Sequence, residues 1–226
     1  MNCKYGKIYK GTFLKELKNR FLCEVKINEV QERCYVPSSC RLNNFINLTD
    51  KEVLLLPTIT SKTGIKFSLF AIHYKRNYII LNSNLANNIV KAYIKRRFFS
   101  FLGKRHEVLS EYSLHGYKCD FFIKDTKTLI EVKSIITMNE EALFPSIYSK
   151  RALDQLKAIK CYLMNGYKAC YVIVALNPYV KTIKLDEKME FYNHFIECSV
   201  LGMKTIGFTC CFKENEILIR NKIKVE

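Results

Sequence analysis

Short runs of alternating apolar and polar residues, cut by turn formers, fill the first 85 positions of the chain. Phe21-Leu-Cys-Glu-Val-Lys-Ile27 alternates and meets Asn28-Glu29, a turn pair. Cys34-Tyr-Val36 runs into Pro37, and Glu52-Val-Leu-Leu-Leu56 stops at Pro57. Phe67 to His73 and Tyr78 to Leu81 flank the polar turn Lys75-Arg76-Asn77. Proline lacks the N–H that a ladder needs and asparagine tolerates positive φ, so these breaks mark strand ends. Five or so short strands in this length predict a small β-barrel, with the oligonucleotide-binding (OB) barrel as one candidate among several.

The period changes near Asn82. From Asn88 to Leu102 apolar residues recur at helical spacing (Ile89, Tyr93, Ile94, Phe98, Leu102), which predicts one helix. Strands follow at about 110–114, 118–124 and 128–136. Ser149 then caps a helix whose apolar stripe is Ala152, Leu156, Ile159 and Leu163, closed by Gly166. Tyr167 to Leu176 is a continuous apolar run, the mark of a strand covered on both faces. Asp186 opens a further helix with Met189, Phe195, Ile196 and Val200, and two strands follow near 204–212 and 216–225. This order is that of a mixed α/β sheet. The expected organisation is a small OB-like β-barrel over 1–85 and an α/β domain over 86–226.

Composition adds a class of partner. The 226 residues are 49% hydrophobic, which suits a buried core and excludes a disordered chain. Lys and Arg total 37 against 21 Asp and Glu, a formal charge of +16. Residues 1–85 and 86–226 each carry +8, so the excess is not a tail. Such charge repels itself in a compact fold and points to a polyanion, nucleic acid first, with a lysine-rich solubilising surface as the plain alternative. Lys91, Lys95, Arg96, Arg97, Lys104 and Arg105 lie on or just after the first predicted helix, with aromatics between them and no acid. They form either a phosphate-binding face or a solvated basic one.

Ten cysteines show neither a Cys-x-x-Cys pair nor the Cys/His spacing of a zinc site. Reduced thiols packed as small hydrophobes are therefore expected. No apolar run reaches the roughly 18 residues of a membrane span. The first residues lack the apolar core of a signal peptide, so no membrane association and a cytoplasmic location are expected. Neither a Gly-rich nucleotide loop nor a nucleophilic Ser or Cys signature is present.

The chemistry concentrates in Tyr117-Lys-Cys-Asp-Phe-Phe-Ile123 and Thr128-Leu-Ile-Glu-Val-Lys-Ser134, joined by a turn around Asp125-Thr126-Lys127. Both halves are too apolar for exposed loops. Alternation puts Glu131 and Lys133 on one strand face with Leu129, and a hairpin would bring Asp120 beside Glu131. Charges inside apolar strands are costly unless paired or bound to metal. Two adjacent carboxylates repel, and a hard divalent cation relieves that repulsion. Asp120 and Glu131, with the Val132 carbonyl, are the candidate ligands for Mg²⁺ or Mn²⁺, and Lys133 is placed to orient water and meet charge at phosphorus. An ordinary Glu–Lys ion pair with an edge-strand Asp has the same spacing.

Asp, some ten residues, then Glu-x-Lys resembles the PD-(D/E)XK nuclease superfamily. From about residue 11 onward the chain is similar to the sugar fermentation stimulation protein family. The carriers are Arg20-Phe-Leu-Cys-Glu-Val25, Tyr35-Val-Pro37, Leu81-Asn-Ser-Asn-Leu85 followed by Asn88, Glu111-Tyr-Ser, Cys119-Asp-Phe-Phe122, Ile130-Glu-Val-Lys-Ser134, Ala142-Leu-Phe-Pro145 and the Ser149–Leu156 helix start. The resemblance implies an OB-like barrel, a nuclease-fold domain, DNA binding, and a role in regulating sugar metabolism genes. It implies Asp120, Glu131 and Lys133 as the nuclease core and Glu111 as a further metal or water ligand, unless Glu111 simply faces solvent. It implies that Arg151 reaches a phosphate or pairs with an acid. Two departures matter. Pro37 is followed by Ser38-Ser39-Cys40 where the family has Asn-Thr-Gly, and Gln155 stands where the family often has a titratable histidine.

Two functions follow from these residues and from what the resemblance implies. One is a Mg²⁺-dependent nuclease acting on DNA, and the other is a non-catalytic DNA-binding regulator that retains the nuclease fold. An RNA-processing enzyme is a weaker third. The oligomeric state stays open.

Overall fold

A computed structural model describes residues 5–38, 41–44, 46–58 and 64–226. Strands β1 (Tyr9–Glu16), β2 (Leu22–Ile27), β3 (Val30–Tyr35), β4 (Glu52–Pro57) and β5 (Phe67–Tyr74) form a five-stranded barrel. The ring runs β1-β2-β3-β5-β4 and back to β1, with β3 parallel to β5, which is OB-type closure. β6 (Asn77–Ile80) extends it beyond β5. Asn28 and Glu29 both take positive φ, 47° and 66°, the tight hairpin turn that their sequence announces. The pattern did not announce β1, whose only fully buried residue is Phe13. A Cβ on its Gly11 would meet Val25 Cγ1 at 2.6 Å and the Lys26 carbonyl at 2.9 Å, so only glycine lets β1 curve this tightly over β2.

The second sheet has eight strands: β7 (Val108–Leu114), β8 (Tyr117–Ile123), β9 (Thr128–Ile135), β10 (Glu141–Phe144), β11 (Lys168–Ala175), β12 (Thr182–Leu185), β13 (Lys204–Lys213) and β14 (Glu216–Val225). Their spatial order is β10-β12-β14-β13-β11-β9-β8-β7. β9, β11 and β13 run parallel at the centre, as the apolar run 167–176 requires. Helices α2 (Lys150–Met164) and α3 (Glu190–Val200) pack on one face with Leu129, Tyr171 and Ile173. Helix α1 (Leu85–Tyr93) packs on the other with Ile130, Val132 and Val172. Leu54, Phe70 and Ile80 of the barrel join that second cluster, and the Ile80 N–H donates to the Leu176 carbonyl at 3.0 Å. Among the described residues no helix is long and apolar enough to cross a membrane.

Two helix expectations are corrected. The segment 88–102 is not one helix: α1 ends at Tyr93, Arg96 is extended (φ −87°, ψ 169°), and Arg97–Leu102 is a pair of tight 3₁₀ turns. The break changes the phase, so Phe99 rather than Phe98 is fully buried with Leu102. It also brings both Phe98 and Phe99 onto Phe208, with ring centroids 5.3 and 6.2 Å away. α3 begins at Glu190, not Asp186. The Asp186 carboxylate instead accepts the Lys188 N–H at 3.1 Å in a preceding turn. α3 turns Phe191, Phe195 and Cys198 inward and leaves Ile196 and Val200 exposed. The aromatic face buries more area than the aliphatic one and wins. Strands β10 and β12 have four residues each, too few to show a period.

Candidate active site

The β7–β8 hairpin turns on His115-Gly116, both with positive φ (41° and 85°). β8 then pairs antiparallel with β9 through Ile123↔Thr128, Phe122↔Leu129 and Phe121↔Ile130. One further step of this register brings Asp120 to Glu131. There the Asp120 carboxylate accepts the Val132 N–H at 2.8 Å, side chain substituting for a ladder carbonyl. Asn87 of α1 donates to its other oxygen at 2.9 Å.

Glu131 is 2% exposed. Its Oε1 accepts from Lys133 Nζ at 2.6 Å and its Oε2 from the Tyr117 hydroxyl at 2.9 Å. Lys133 Nζ also donates to Gln155 Oε1 at 2.7 Å. Gln155 is buried one turn into α2, whose N-terminus the Ser149 hydroxyl caps by accepting the Ala152 N–H at 3.2 Å. All four carboxylate oxygens therefore have a donor from the protein, which is what permits charges here at all. Burial pushes the Glu131 carboxyl above the usual carboxylate range; Lys133 pulls it back, and Asp120 adds to the rise. Burial also raises the Tyr117 hydroxyl, and raises the Cys119 thiol to about 12, so that thiol is no nucleophile at neutral pH.

This network lines a cleft of about 430 Å³, where Asp120, Glu131, Lys133, Arg151 and Gln155 meet Ser38 from the barrel side. Each carboxylate oxygen keeps a second acceptor site after its one internal hydrogen bond. Two such carboxylates form an all-oxygen donor set suited to a hard divalent cation, with the Val132 carbonyl on the same strand between Glu131 and Lys133. Among the described residues no three His, Cys, Asp or Glu side chains converge on one point.

Glu111 accordingly stands apart. It is exposed, has φ of +51°, and pairs with Lys118 at 2.6 Å, which holds its carboxyl below the usual range. The basic residues divide. Arg105 donates to the carbonyls of Ile94 (2.8 Å), Ser100 (3.3 Å) and Gly103, stapling the break after α1. Lys95 donates to the His106 carbonyl at 2.7 Å, and Arg96 lies over the Tyr93 ring at 4.6 Å. Lys91, Arg97 and Lys104 are exposed. His106 faces Asp125 at 2.9 Å. Eight described cysteines are free thiols, six of them buried. Cys3, Cys40 and Ser39, the last two in the loop that departs from the family pattern, lie outside the described residues.

Two site residues escaped the sequence reading. Asn87 was one of four asparagines between 82 and 88, and only the docking of α1 singles it out. Tyr117 lay inside the informative segment, but its partner is fourteen residues away.

An OB-type barrel joined to a mixed sheet with helices on both faces, with Asp and Glu-x-Lys on adjacent strands at its heart, defines a restriction-endonuclease-like protein. The model of the sugar fermentation stimulation protein RE domain matches residues 84–216, more than half of the chain. The chain belongs to the sugar fermentation stimulation protein family. Its relatives include the homologue of Desulfitobacterium hafniense, 24% identical with 95% of this chain and 94% of that one covered. The homologue of Ruminiclostridium cellulolyticum is 25% identical over 98% and 99%. Among solved structures, Pyrococcus furiosus SfsA in complex with Ca²⁺ shares the fold at a TM-score of 0.85 and 21% identity, covering 100% and 99% of the two chains.

Proposed function

We propose that this protein is a divalent-metal-dependent nuclease acting on DNA. The observation that carries the proposal is a fully partnered acid–lysine network sunk into apolar strands at the wall of a cleft. Evolution has little structural reason to keep such charges, since apolar residues of similar volume are often as stable there.

Asp120, Glu131 and the Val132 carbonyl would hold the ion. The Ca²⁺ in the complex of Pyrococcus furiosus SfsA supports a hard-cation reading. Bound Mg²⁺ or Mn²⁺ would supply Lewis-acid polarisation of a phosphate oxygen and lower the pKa of an attacking water. Lys133 Nζ, held between Glu131 and Gln155, orients that water and faces the charge that develops at phosphorus. Arg151, on the first turn of α2 at the cleft, binds a neighbouring phosphate. Gln155 holds the lysine but cannot titrate, so position 155 supplies no acid or base.

One observation favours the second reading, a DNA-binding regulator: one internal donor on each oxygen of Asp120 and Glu131 already holds these charges in place without a metal ion. Cleavage assays with single-stranded, duplex and branched DNA, and with RNA, with and without Mg²⁺ or Mn²⁺, decide between them. Metal-dependent cleavage lost in Glu131→Ala and Lys133→Ala supports the enzyme. Salt-sensitive binding without cleavage, unchanged in both variants, supports the regulator.

A further inference from the structure

On the barrel, two large aromatics sit outside any core. Phe21, in the turn before β2, is 38% exposed, and Tyr35, at the end of β3, is 40% exposed. Their rings lie 6.5 Å apart with planes only 16° from parallel. The Arg20 guanidinium covers Phe21 at 4.7 Å. Isolated exposed aromatics are common and mean little; a parallel pair capped by an arginine is a different object.

The platform is also braced. Asn19 accepts the Phe21 N–H on its side chain at 3.1 Å and the Leu22 N–H on its carbonyl at 3.0 Å. Arg41 reaches across to the Leu17 and Lys18 carbonyls at 3.2 and 2.8 Å. Binding there would cost little ordering of the turn. Its surroundings are cationic, with Lys18, Arg20 and Arg41 together. The nearby acids are engaged elsewhere: Glu16 accepts the Leu42 and Asn43 amides at 2.7 and 3.2 Å, and Glu24 faces Lys15 at 3.3 Å.

Flat rings beside fixed cations match the two parts of a nucleotide, base and phosphate. A duplex buries its base faces in its own stack, so only an unpaired base can use the platform. Tyr35 lies three residues from Ser38, which lines the cleft; three extended residues span at most about 11 Å. We propose that Phe21 and Tyr35 stack an unpaired base of single-stranded DNA whose chain continues toward the Asp120–Glu131 cleft. The proposal rests on the nucleic-acid-binding half of the function above and not on cleavage.

The test is binding by the full chain in EDTA, where metal-dependent cleavage cannot occur. A labelled oligothymidylate and a labelled hairpin duplex are the probes. Phe21→Ala/Tyr35→Ala should weaken oligothymidylate binding roughly ten-fold or more and leave hairpin binding unchanged. The chain has no tryptophan, so Tyr35→Trp places its single tryptophan on the platform, where it can be excited apart from the tyrosines. Its emission should be quenched by oligothymidylate and not by the hairpin. Equal losses for both probes, or unmoved emission at saturating oligothymidylate, would overturn the proposal. Either result leaves the cleavage assay free to succeed or fail independently.

Discussion

Two groups of charge dominate this chain, and they are built on opposite plans. Asp120, Glu131 and Lys133 lie within apolar strands; Glu131 and Lys133 are tied to each other and to Tyr117 and Gln155, and Asp120 beside them to Asn87 and the Val132 amide. The basic segment 91–105 is near the surface, yet its most engaged member, Arg105, binds only backbone carbonyls. In the first group burial forces partnership, so each charge depends on the next. In the second, a charge is used to hold a chain break together. The lesson is that a charge's surroundings, more than its number, say what it does.

The sharpest way to break that contrast is Lys133→Ala. It leaves the Glu131 carboxylate buried with Tyr117 alone. Breaking a buried pair from one side costs about 3–5 kcal/mol, and the lower end applies because the Lys133 side chain is a quarter exposed. In a Glu131→Gln background the same substitution should cost only about 1.5 kcal/mol, the low end for a hydrogen bond from a charged ammonium to a neutral amide. Denaturant unfolding of the four proteins reads the coupling directly. Equal costs in both backgrounds would show that the acid does not depend on the lysine. Under the proposed chemistry, cleavage by Lys133→Ala also falls on the order of a hundred-fold or more.

Next in size is Arg105→Ala, which removes charge-assisted hydrogen bonds to three carbonyls and should destabilise by about 1.5 kcal/mol. Arg97→Ala and Lys104→Ala should change stability by no more than about 0.5 kcal/mol. If either contacts phosphate, each should instead reduce the salt slope of DNA binding by about one. An Arg105 variant of full stability but weakened binding would make Arg105 a phosphate contact rather than a staple.

The same contrast explains what could be read from the sequence. Strand charges stood out because an acid between Cys119 and Phe121, or between Ile130 and Val132, violates its surroundings, and the hairpin register that pairs them follows from a short turn. Arg105 gave no such signal, since nothing local marks a break between Tyr93 and Arg97 that needs a staple. Glu111 matched a motif but not a place: a positive φ on the edge strand sends its side chain to Lys118. Asn87 became a site residue only when α1 docked, a tertiary event that no window of sequence contains; the resemblance marked Gln155, but only the docking of α2 shows its bond to Lys133. β1 was invisible for a related reason, because Gly11 serves curvature rather than alternation.

Acidity separates the two plans further. The Glu131 carboxyl is raised by burial, so the folded chain holds that proton more tightly than the unfolded one. Its contribution to stability is then fully present below the ordinary glutamate value of about 4.3 and is lost as pH rises through the raised value. The unfolding midpoint of Glu131→Gln in EDTA should accordingly gain on the parent as pH goes from about 4 to about 8. The reverse trend would mean that Lys133 and Tyr117 outweigh burial.

A small gain in stability is the most diagnostic of how such interiors are satisfied. Tyr171 lies in register with Glu131 one strand over, on β11, and is fully buried among Phe144, Phe191 and Phe195. Its hydroxyl has no hydrogen-bond partner among the described residues. Glu131 thus has two donors where its neighbour has none. Burying an unpaired hydroxyl costs roughly 1–3 kcal/mol by protein mutational data, and phenylalanine keeps the ring packing while removing that cost. Tyr171→Phe should therefore raise stability by up to about 1 kcal/mol, measured by denaturant unfolding at constant m-value. A loss of similar size would mean that the hydroxyl is hydrogen-bonded in solution, and the interior beside Glu131 would then be a polar network that extends beyond the cleft.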